Sequence, residues 1–236
     1  MRYNNIIIIG TSHIARESLK EVSKLIEVER PGIIAVELDK KRLMGLMSKS
    51  KSSISISRIK KVGMKGYLFG MLGSYVQKKL GKYVGVAPGS DMLTAVELAQ
   101  NYKIELALID QDIDITLARF SEAITFREKW RFLVDIFRGI CFKKSEMKKM
   151  GLEEIDLNKV PPKRLIKKLI DNVKDRYPNL YRVLISERNF FMAKKLYELQ
   201  QLYPHRKILA VVGAGHEEEL IALLKKIDTH QVEFLK

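Results

Sequence analysis

The fold is decided by residues 6–13, which read IIIIGTSH. Four consecutive β-branched residues, Ile6 to Ile9, are typical of a strand that is buried on both faces of a sheet. Gly10 permits a sharp turn off the end of that strand, and His13 opens the segment that follows. We therefore predict a buried strand that ends in a G-x-x-H turn.

A helix and a second strand are predicted to follow this turn. Apolar side chains recur at helical spacing over residues 14–27, and Pro31-Gly32 separates them from a second apolar run over residues 33–37. Two buried strands joined by one helix indicate a βαβ unit, in which the strands are parallel and the crossover is right-handed. The same patterns predict strands over residues 104–109, 207–212 and 231–235, and helices over residues 90–101 and 217–227.

The chain of 236 residues is expected to form one α/β domain, with a mainly parallel central sheet flanked by helices. Its composition, 46% hydrophobic and 30% charged, excludes collagen-like and wholly disordered chains. Two insertions interrupt the domain: a basic, glycine-rich segment at residues 40–88 and a large helical insertion at residues 113–202. Within the second insertion, helical spacing predicts a face packed into the core, formed by Phe126, Trp130, Leu133 and Phe137; the alternative is a hydrophobic substrate groove.

The net charge of +15 is concentrated in one segment. Residues 40–90 contain 12 Lys and Arg and no Asp or Glu, together with eight glycines and a run of large apolar side chains. This mixture indicates an amphipathic or mobile surface element at residues 40–88, which would contact an anionic membrane surface or an acidic partner or form a lid; the alternative is a solvated insertion. The segment lacks interleaved stacking aromatics on a recognisable nucleic-acid module, which argues against nucleic-acid binding.

The single cysteine, Cys141, excludes an internal disulfide framework and any site with several cysteine ligands. The apolar run at residues 6–9 is too short for a signal peptide, and no other stretch reaches the length of a membrane span. We therefore expect a cytoplasmic protein, either free or bound at the periphery of a membrane. Assembly into a homo-oligomer is left open.

Polar residues follow the predicted parallel strands at one edge of the sheet. In such sheets, ligands bind beyond the carboxyl ends of the strands, where the connecting loops meet. Two of the four histidines, His13 and His216, occupy the last position of a G-x-x-H turn after a strand. His205 and His230 precede predicted strands instead, so we expect them on the surface at the opposite edge. The other polar residues expected at the ligand edge are Glu37, Asp39, Asp110 and Asp112.

Two imidazoles and one carboxylate form a set that binds a divalent metal ion and leaves a coordination position for water. His13, Glu37 and His216 are therefore candidate metal ligands, and imidazole and carboxylate ligands admit Mn, Co, Zn and Fe alike. An ion in such a set activates water and polarises a carbonyl group, so hydrolysis is the natural chemistry. The alternative is that both turns cap helices or hold a phosphate group without chemistry.

Several motifs stand in fixed order along the chain: GTSH at residues 10–13, VELD at 36–39, GSDM at 89–92, LID at 108–110, ERN at 187–189 and VGAGH at 212–216, with Ala95, Ala99, Thr116 and Arg119 between them. Together they resemble the TraB family, which is named for the shutdown of a bacterial peptide sex pheromone. This family looks related to the Tiki proteases, which are metal-dependent and use paired G-x-x-H motifs with a glutamate. The resemblance implies a metallopeptidase-like site at His13, Glu37 and His216, with a divalent metal ion and a peptide or small-protein substrate. The alternative is a regulatory protein that binds a peptide or an anion in the same cleft without cleaving it.

Four further side chains are candidate catalytic residues. A general base is required beside the metal, and Glu187 is the first candidate and Asp39 the second. Arg119 and Arg188 are candidates for binding a peptide carboxylate or stabilising a developing oxyanion. An ion-pair network of Arg119, Glu187 and Arg188 that holds the helical insertion against the sheet is the alternative.

The glycine turns and the neighbouring aspartates complete the predicted site. Asp110 and Asp112 are candidates for accepting a hydrogen bond from a histidine, or for forming turns. Ser90 or Asp91 is expected to cap a helix. Because glycine lets a ligand approach the backbone, we expect the substrate to contact the two turns, through Gly10, Ser12, Gly213 and Gly215.

Overall fold

The computed structural model describes residues 1–11, 16–48, 67, 71, 89–128, 130–131, 134–135 and 163–234. Ser12, His13 and Cys141 lie outside these ranges, as do most of the basic segment and residues 136–162. The roles assigned to Ser12 and His13 from the sequence therefore stay predictions.

The described strands form one sheet that is mainly parallel. They are β1 (Arg2–Tyr3), β2 (Ile6–Thr11), β3 (Ile33–Val36), β4 (Glu105–Leu108) and β5 (Ile208–Gly213). Their order across the sheet is β1-β2-β5-β3-β4, so the last strand of the sequence lies in the centre. β1 is antiparallel to β2, whereas β2, β5, β3 and β4 are parallel neighbours. This topology confirms the α/β fold predicted from the sequence.

Helices cover both faces of the sheet. Among the described helices, none combines the length and the apolar character needed to cross a membrane. They are α1 (Arg16–Glu29), α2 (Lys40–Met47), α3 (Ser90–Asn101), α4 (Ile113–Ala123), α5 (Lys163–Arg176), α6 (Pro178–Tyr181), α7 (Glu187–Leu202) and α8 (Glu217–Phe234), with a π-helical turn (Arg182–Ser186) between α6 and α7.

The isoleucine run of β2 belongs to both hydrophobic layers, because alternate side chains of a strand point to opposite faces. Ile6 and Ile8 lie in one core cluster with α7 and α8, which contribute Leu196 and Leu220 among others. Ile7 and Ile9 lie in a second cluster with residues of α1 and α3. Since each buried isoleucine contributes roughly 1.5–3 kcal/mol over an exposed one, β2 holds the two helix layers on the sheet.

Two sequence predictions about element ends are wrong. The strand predicted over 231–235 is not formed, because α8 continues to Phe234; residues 217–234 contain no Gly or Pro to end it. His230 therefore lies within a helix. At the start of α3, the cap position is held by Gly89 with φ of 80°, while Asp91 is buried in the first turn.

The prediction of a buried aromatic face is also wrong for the residues that the structure describes. Phe126 is 80% exposed and Trp130 is 63% exposed, although they lie four residues apart in helical backbone. Leu133 and Phe137 lie outside the described residues. Helical spacing identifies side chains that share a face, but it does not determine whether that face is covered.

Candidate functional site

The carboxyl ends of β2, β5 and β3 lie at one edge of the sheet, with β3 ending two residues before β2 and β5. Thr11 pairs with Gly213 across β2 and β5, and Val36 pairs with Val211 across β3 and β5. Residues that directly follow these strands therefore start from the same edge, as the sequence analysis expected for an open parallel sheet. The candidate site is built there.

Glu37 follows β3 directly and is buried at this edge, with 2% exposure. Its Oε2 atom accepts a hydrogen bond of 2.6 Å from the backbone N–H of Gly213, the last residue of β5. The backbone N–H of Glu37 donates to the carbonyl oxygen of Val211 at 3.0 Å. Glu37 is thus fixed by main-chain bonds to the central strand, and its Oε1 atom faces the end of β5.

His216 closes the G-x-x-H turn after β5. Its backbone N–H donates to the carbonyl oxygen of Gly213 at 2.9 Å, and its own carbonyl accepts from Leu220 in the first turn of α8 at 3.0 Å. The imidazole is nearly buried, and its Nε2 atom lies 3.3 Å from Oε1 of Glu37. The structure therefore brings together two of the three predicted metal ligands, which are 179 residues apart (216 − 37).

A buried side-chain relay determines the tautomer of His216. Asn189, which is fully buried, donates through Nδ2 to Oε2 of Glu219 at 2.7 Å, so its amide oxygen faces the imidazole. His216 Nδ1 lies 2.5 Å from that oxygen. Because an amide oxygen only accepts, Nδ1 carries the hydrogen, and in the neutral ring the Nε2 lone pair faces Glu37. Tyr181 donates a second hydrogen bond to Glu219 at 3.3 Å.

Arg188 links Glu37 to a second buried carboxylate. Its guanidinium donates to Glu37 Oε1, to Asp110 Oδ1 at 3.0 Å and Oδ2 at 2.7 Å, and to the carbonyl oxygen of Leu184 at 3.1 Å. Burial lowers the pKa of Arg188, but the charges of Glu37 and Asp110 outweigh burial and hold that pKa above its ordinary value. Arg42 also pairs with Asp110. Two carboxylates and two guanidiniums therefore compensate one another at this edge.

The two glycine turns lie against each other. A Cβ atom on Gly10 would stand 2.8 Å from the Cα atom of Ala214, which is closer than real Cβ contacts occur. The backbone N–H of Ala214 donates to the carbonyl oxygen of Thr11 at 2.8 Å, so the contact is fixed. On the other side of the second turn, a Cβ atom on Gly215 would meet Ile170 of α5 at 3.2 Å. The close packing of the two turns thus explains why residue 10 is a glycine. Gly213 has a different role, because its backbone N–H donates to Glu37.

The remaining predicted residues occupy the rim of the site. Arg119 forms two hydrogen bonds to Glu187, at 2.9 and 3.2 Å, and both side chains are partly exposed. Asp39 caps α2 by accepting from the backbone N–H groups of Lys41 and Arg42. Asp112 caps α4, and it also pairs with Lys41. In the contacts described, the two aspartates predicted to accept from a histidine pair with basic residues other than His216: Asp110 with Arg188 and Arg42, and Asp112 with Lys41. A bond from His13 to either aspartate stays a prediction. The predicted ion-pair network divides into a buried part at Arg188 and an outer part at Arg119 and Glu187.

Three residues that position the site received no role in the sequence analysis. Asn189, Glu219 and Tyr181 form the relay behind His216. The available signals were weak: Asn189 stands in the ERN motif, and Glu219 follows His216 by three residues at the start of a helix. Neither spacing by itself distinguishes these residues from ordinary helix-start and surface side chains.

The described residues do not contain a complete set of metal ligands. Within those residues, no group of three or more His, Cys, Asp or Glu side chains is arranged to hold an ion. Glu37 and His216 supply two ligands, and the third predicted ligand, His13, lies outside the described residues. A cavity of about 110 Å³ lies between the second glycine turn and α5, and it is lined by Ala214, Gly215, the glutamates at 217–219, and Ile166, Lys167 and Ile170 of α5. Neither Glu37 nor His216 is among its lining residues.

Comparisons with known proteins agree with the motifs. The TraB/PrgY/gumN family model matches residues 2–230. The chain is 36% identical over 228 residues to a protein of Methanocaldococcus jannaschii named as uncharacterized, covering 95% of this chain and 54% of that protein. It is 24% identical over 204 residues to the TraB domain-containing proteins of mouse and human, covering 82% of this chain and 52% of each. The chain thus spans about half the length of these relatives. Because the family model and the archaeal relative both cover nearly the whole chain, the protein belongs to the TraB/PrgY/gumN family.

Proposed function

We propose that the protein is a divalent-metal-dependent hydrolase that acts on peptide bonds at the carboxyl edge of the sheet. The observation that carries the proposal is the 3.3 Å separation between Glu37 Oε1 and His216 Nε2, with His216 held in the tautomer that directs its lone pair toward Glu37. His13 is the proposed third ligand. The proposal also places the reaction in the cytoplasm, with a peptide or small protein as substrate.

The geometry of the described pair fits ligation of a single ion. Two ligands that each bind a tetrahedral ion at ~2.0–2.1 Å stand ~3.3–3.4 Å apart, which matches the Nε2 to Oε1 separation. Metal-ligating histidines donate their other ring N–H to an oxygen, and His216 donates Nδ1–H to Asn189. The lone pair on Nε2 of a neutral imidazole and a carboxylate oxygen repel each other at this distance unless a cation or a proton lies between them.

The residues of the candidate site have separate roles in the proposed reaction. His13, Glu37 and His216 would hold the divalent ion, which would supply the charge that activates water and polarises the scissile carbonyl group. Arg188 fixes the direction of the Glu37 carboxylate, and Asn189 fixes the ring of His216. Glu187 and Arg119 lie at the rim, where Glu187 is the proposed general base and Arg119 would bind an anionic group of the peptide. Asp39 is the second candidate base, although its oxygens already cap α2.

The proposal is tested by incubating the metal-loaded protein with a peptide library and identifying products by mass spectrometry. Wild-type protein should release peptides in a time-dependent way, and Glu37→Gln and His216→Ala should release none above background. His205→Ala is the matched control, because His205 is exposed and lies away from the ligand edge. Product formation that Glu37→Gln leaves unchanged would refute the assignment.

A specific contact supports a second candidate function, peptide binding without cleavage. Both oxygens of Glu37 already accept strong hydrogen bonds, from Arg188 and from the Gly213 N–H, so this carboxylate has a structural role without any ion. In that case the cleft would retain a peptide intact. His216→Ala would then weaken peptide retention, and the library would remain uncut by the wild-type protein.

A further inference from the structure

The turn at residues 125–128 presents two aromatic side chains to solvent. Thr125 and Glu128 form a reciprocal capping box: Glu128 N–H donates to Thr125 Oγ1 at 3.3 Å, and Thr125 N–H donates to Glu128 Oε2 at 3.1 Å. This arrangement starts a helical segment at Phe126. Phe126 and Trp130 are four residues apart on it, so they share one face, and both are largely exposed.

The opposite side of this turn is fixed to the protein. The Glu128 carboxylate is buried and accepts from the backbone N–H of Asn179 at 2.8 Å and from its Nδ2 at 3.0 Å. Asn179 lies in α6, so the glutamate ties the start of the aromatic segment to that helix. Because Glu128 faces inward, Phe126 and Trp130 on the other side of the helical segment point outward.

The charges next to the aromatic rings are positive. Arg127 is exposed, and Arg131 donates to the carbonyl oxygen of Arg176 at 3.3 Å, which keeps its guanidinium at the surface. Two acids of the same segment that the structure describes are engaged elsewhere: Glu128 is buried, and Asp135 pairs with Arg176. The surface therefore combines two exposed aromatic rings with one exposed arginine, Arg127, and one partly exposed arginine, Arg131, in a chain whose net charge is +15.

We propose that Phe126, Arg127, Trp130 and Arg131 form a docking surface for an anionic lipid bilayer, with the two rings inserted at the headgroup level. Trp and Phe beside basic residues are typical of helices that lie in the membrane interface. A bilayer accepts protruding rings such as Phe126, which is 80% exposed, without a preformed pocket. The arginines supply the electrostatic attraction to acidic headgroups.

This proposal assigns membrane contact to a different surface from the basic segment at residues 40–88. The chain contains a single tryptophan, Trp130, so fluorescence excited selectively at tryptophan reports this surface alone. On addition of phosphatidylserine/phosphatidylcholine vesicles, the Trp130 emission should shift to shorter wavelength and become less accessible to acrylamide. Pure phosphatidylcholine vesicles should give a smaller shift, and added salt should reverse the binding.

Variants separate this surface from the rest of the protein. Phe126→Ser and Trp130→Ser should each weaken vesicle co-sedimentation by roughly tenfold, and Arg127→Glu should weaken it further at low salt. Phe190→Ser is the matched control, because Phe190 is also an exposed phenylalanine, on α7, and it should bind as wild type. The substituted side chains are exposed, so circular dichroism spectra should be unchanged.

Three results would overturn the proposal. The first is vesicle binding with no change in Trp130 emission, which would assign the contact to another surface such as residues 40–88. The second is the absence of binding to anionic vesicles. The third is a concentration-dependent emission shift without vesicles, accompanied by a larger species in sedimentation velocity, which would assign the rings to contact between copies of the chain.

Discussion

Glu37 Oε1 lies 3.3 Å from Nε2 of His216, at the point where the ends of β3 and β5 meet. Each partner is held independently of the other: Glu37 by Gly213 and Arg188, and His216 by Asn189. The surrounding bonds therefore fix both side chains at this separation. This pre-positioning is the property expected of a ligand site.

Replacement of Asn189 by leucine removes the acceptor for His216 Nδ1 and leaves the size of the side chain nearly unchanged. We expect the affinity for a divalent ion to fall about 10–100-fold, as found when the hydrogen-bond acceptors behind metal-binding histidines are removed. Isothermal titration calorimetry measures this change, and histidine nitrogen chemical shifts report the tautomer. Gln200→Leu is the control, because Gln200 is a buried amide of the same helix that lies outside the relay. An unchanged affinity in Asn189→Leu would contradict the positioning role.

Replacement of Arg188 by methionine removes the arginine that pairs with Glu37 and one of the two arginines that pair with Asp110. The free energy of unfolding should fall by about 3–5 kcal/mol, measured by chemical denaturation, because an uncompensated buried charge remains. Adding Glu37→Gln to Arg188→Met should restore part of this loss. A loss below about 1 kcal/mol would show that the pair behaves like an exposed salt bridge.

Gly10→Ala tests the contact between the two glycine turns. The added Cβ atom meets backbone at 2.8 Å, which no rotamer change relieves, so we expect a destabilisation of about 1–3 kcal/mol. Gly45→Ala in α2 is the matched control, since nothing lies within 4 Å of its Cβ position. That variant should be neutral or more stable by up to about 1 kcal/mol, because alanine favours a helix. Equal melting temperatures for both variants would contradict the packing.

The buried Glu128 carboxylate gives stability that depends on pH. Burial raises its pKa, but hydrogen bonds from Thr125 and Asn179 outweigh burial, so the pKa is lowered below its ordinary value. A lowered pKa in the folded state stabilises the protein above the unfolded pKa of about 4.3, and this stability is lost as the pH falls through the folded pKa. The difference in unfolding free energy between wild type and Glu128→Gln should therefore shrink between neutral pH and pH values below about 4. A difference that stays constant would contradict the account.

The sheet and its ligand edge were predictable from local sequence. Consecutive β-branched residues specify buried strands, and short helical connections make those strands parallel, so the residues after β2, β3 and β5 are brought to one edge whatever the details of packing. Glu37 and His216 were expected to lie close together for this reason, and they are 3.3 Å apart. The family resemblance was confirmed by a match that covers residues 2–230.

The relay behind His216 and the exposed aromatic surface were not predictable, for different physical reasons. The π-helical turn at residues 182–186 precedes α7 and changes the rotation of that helix, so regular helical spacing does not give the direction of Asn189. Phe126 and Trp130 have the spacing of a buried face, but Glu128, between them in sequence, turns the other side of the helix inward. The position at which each strand ends follows from local sequence, whereas these contacts depend on how helices that are distant in the sequence pack together.

The most direct test of the central claim is the metal content of purified protein, measured by elemental analysis after loading with Zn²⁺ or Mn²⁺ and removal of free ions. The account predicts that wild-type protein and His205→Ala retain a stoichiometric ion, and that His13→Ala, Glu37→Gln and His216→Ala, each shown to be folded by thermal denaturation, retain far less. Wild-type protein that retains no ion, or a Glu37→Gln variant that retains as much as wild type, would contradict the metal site.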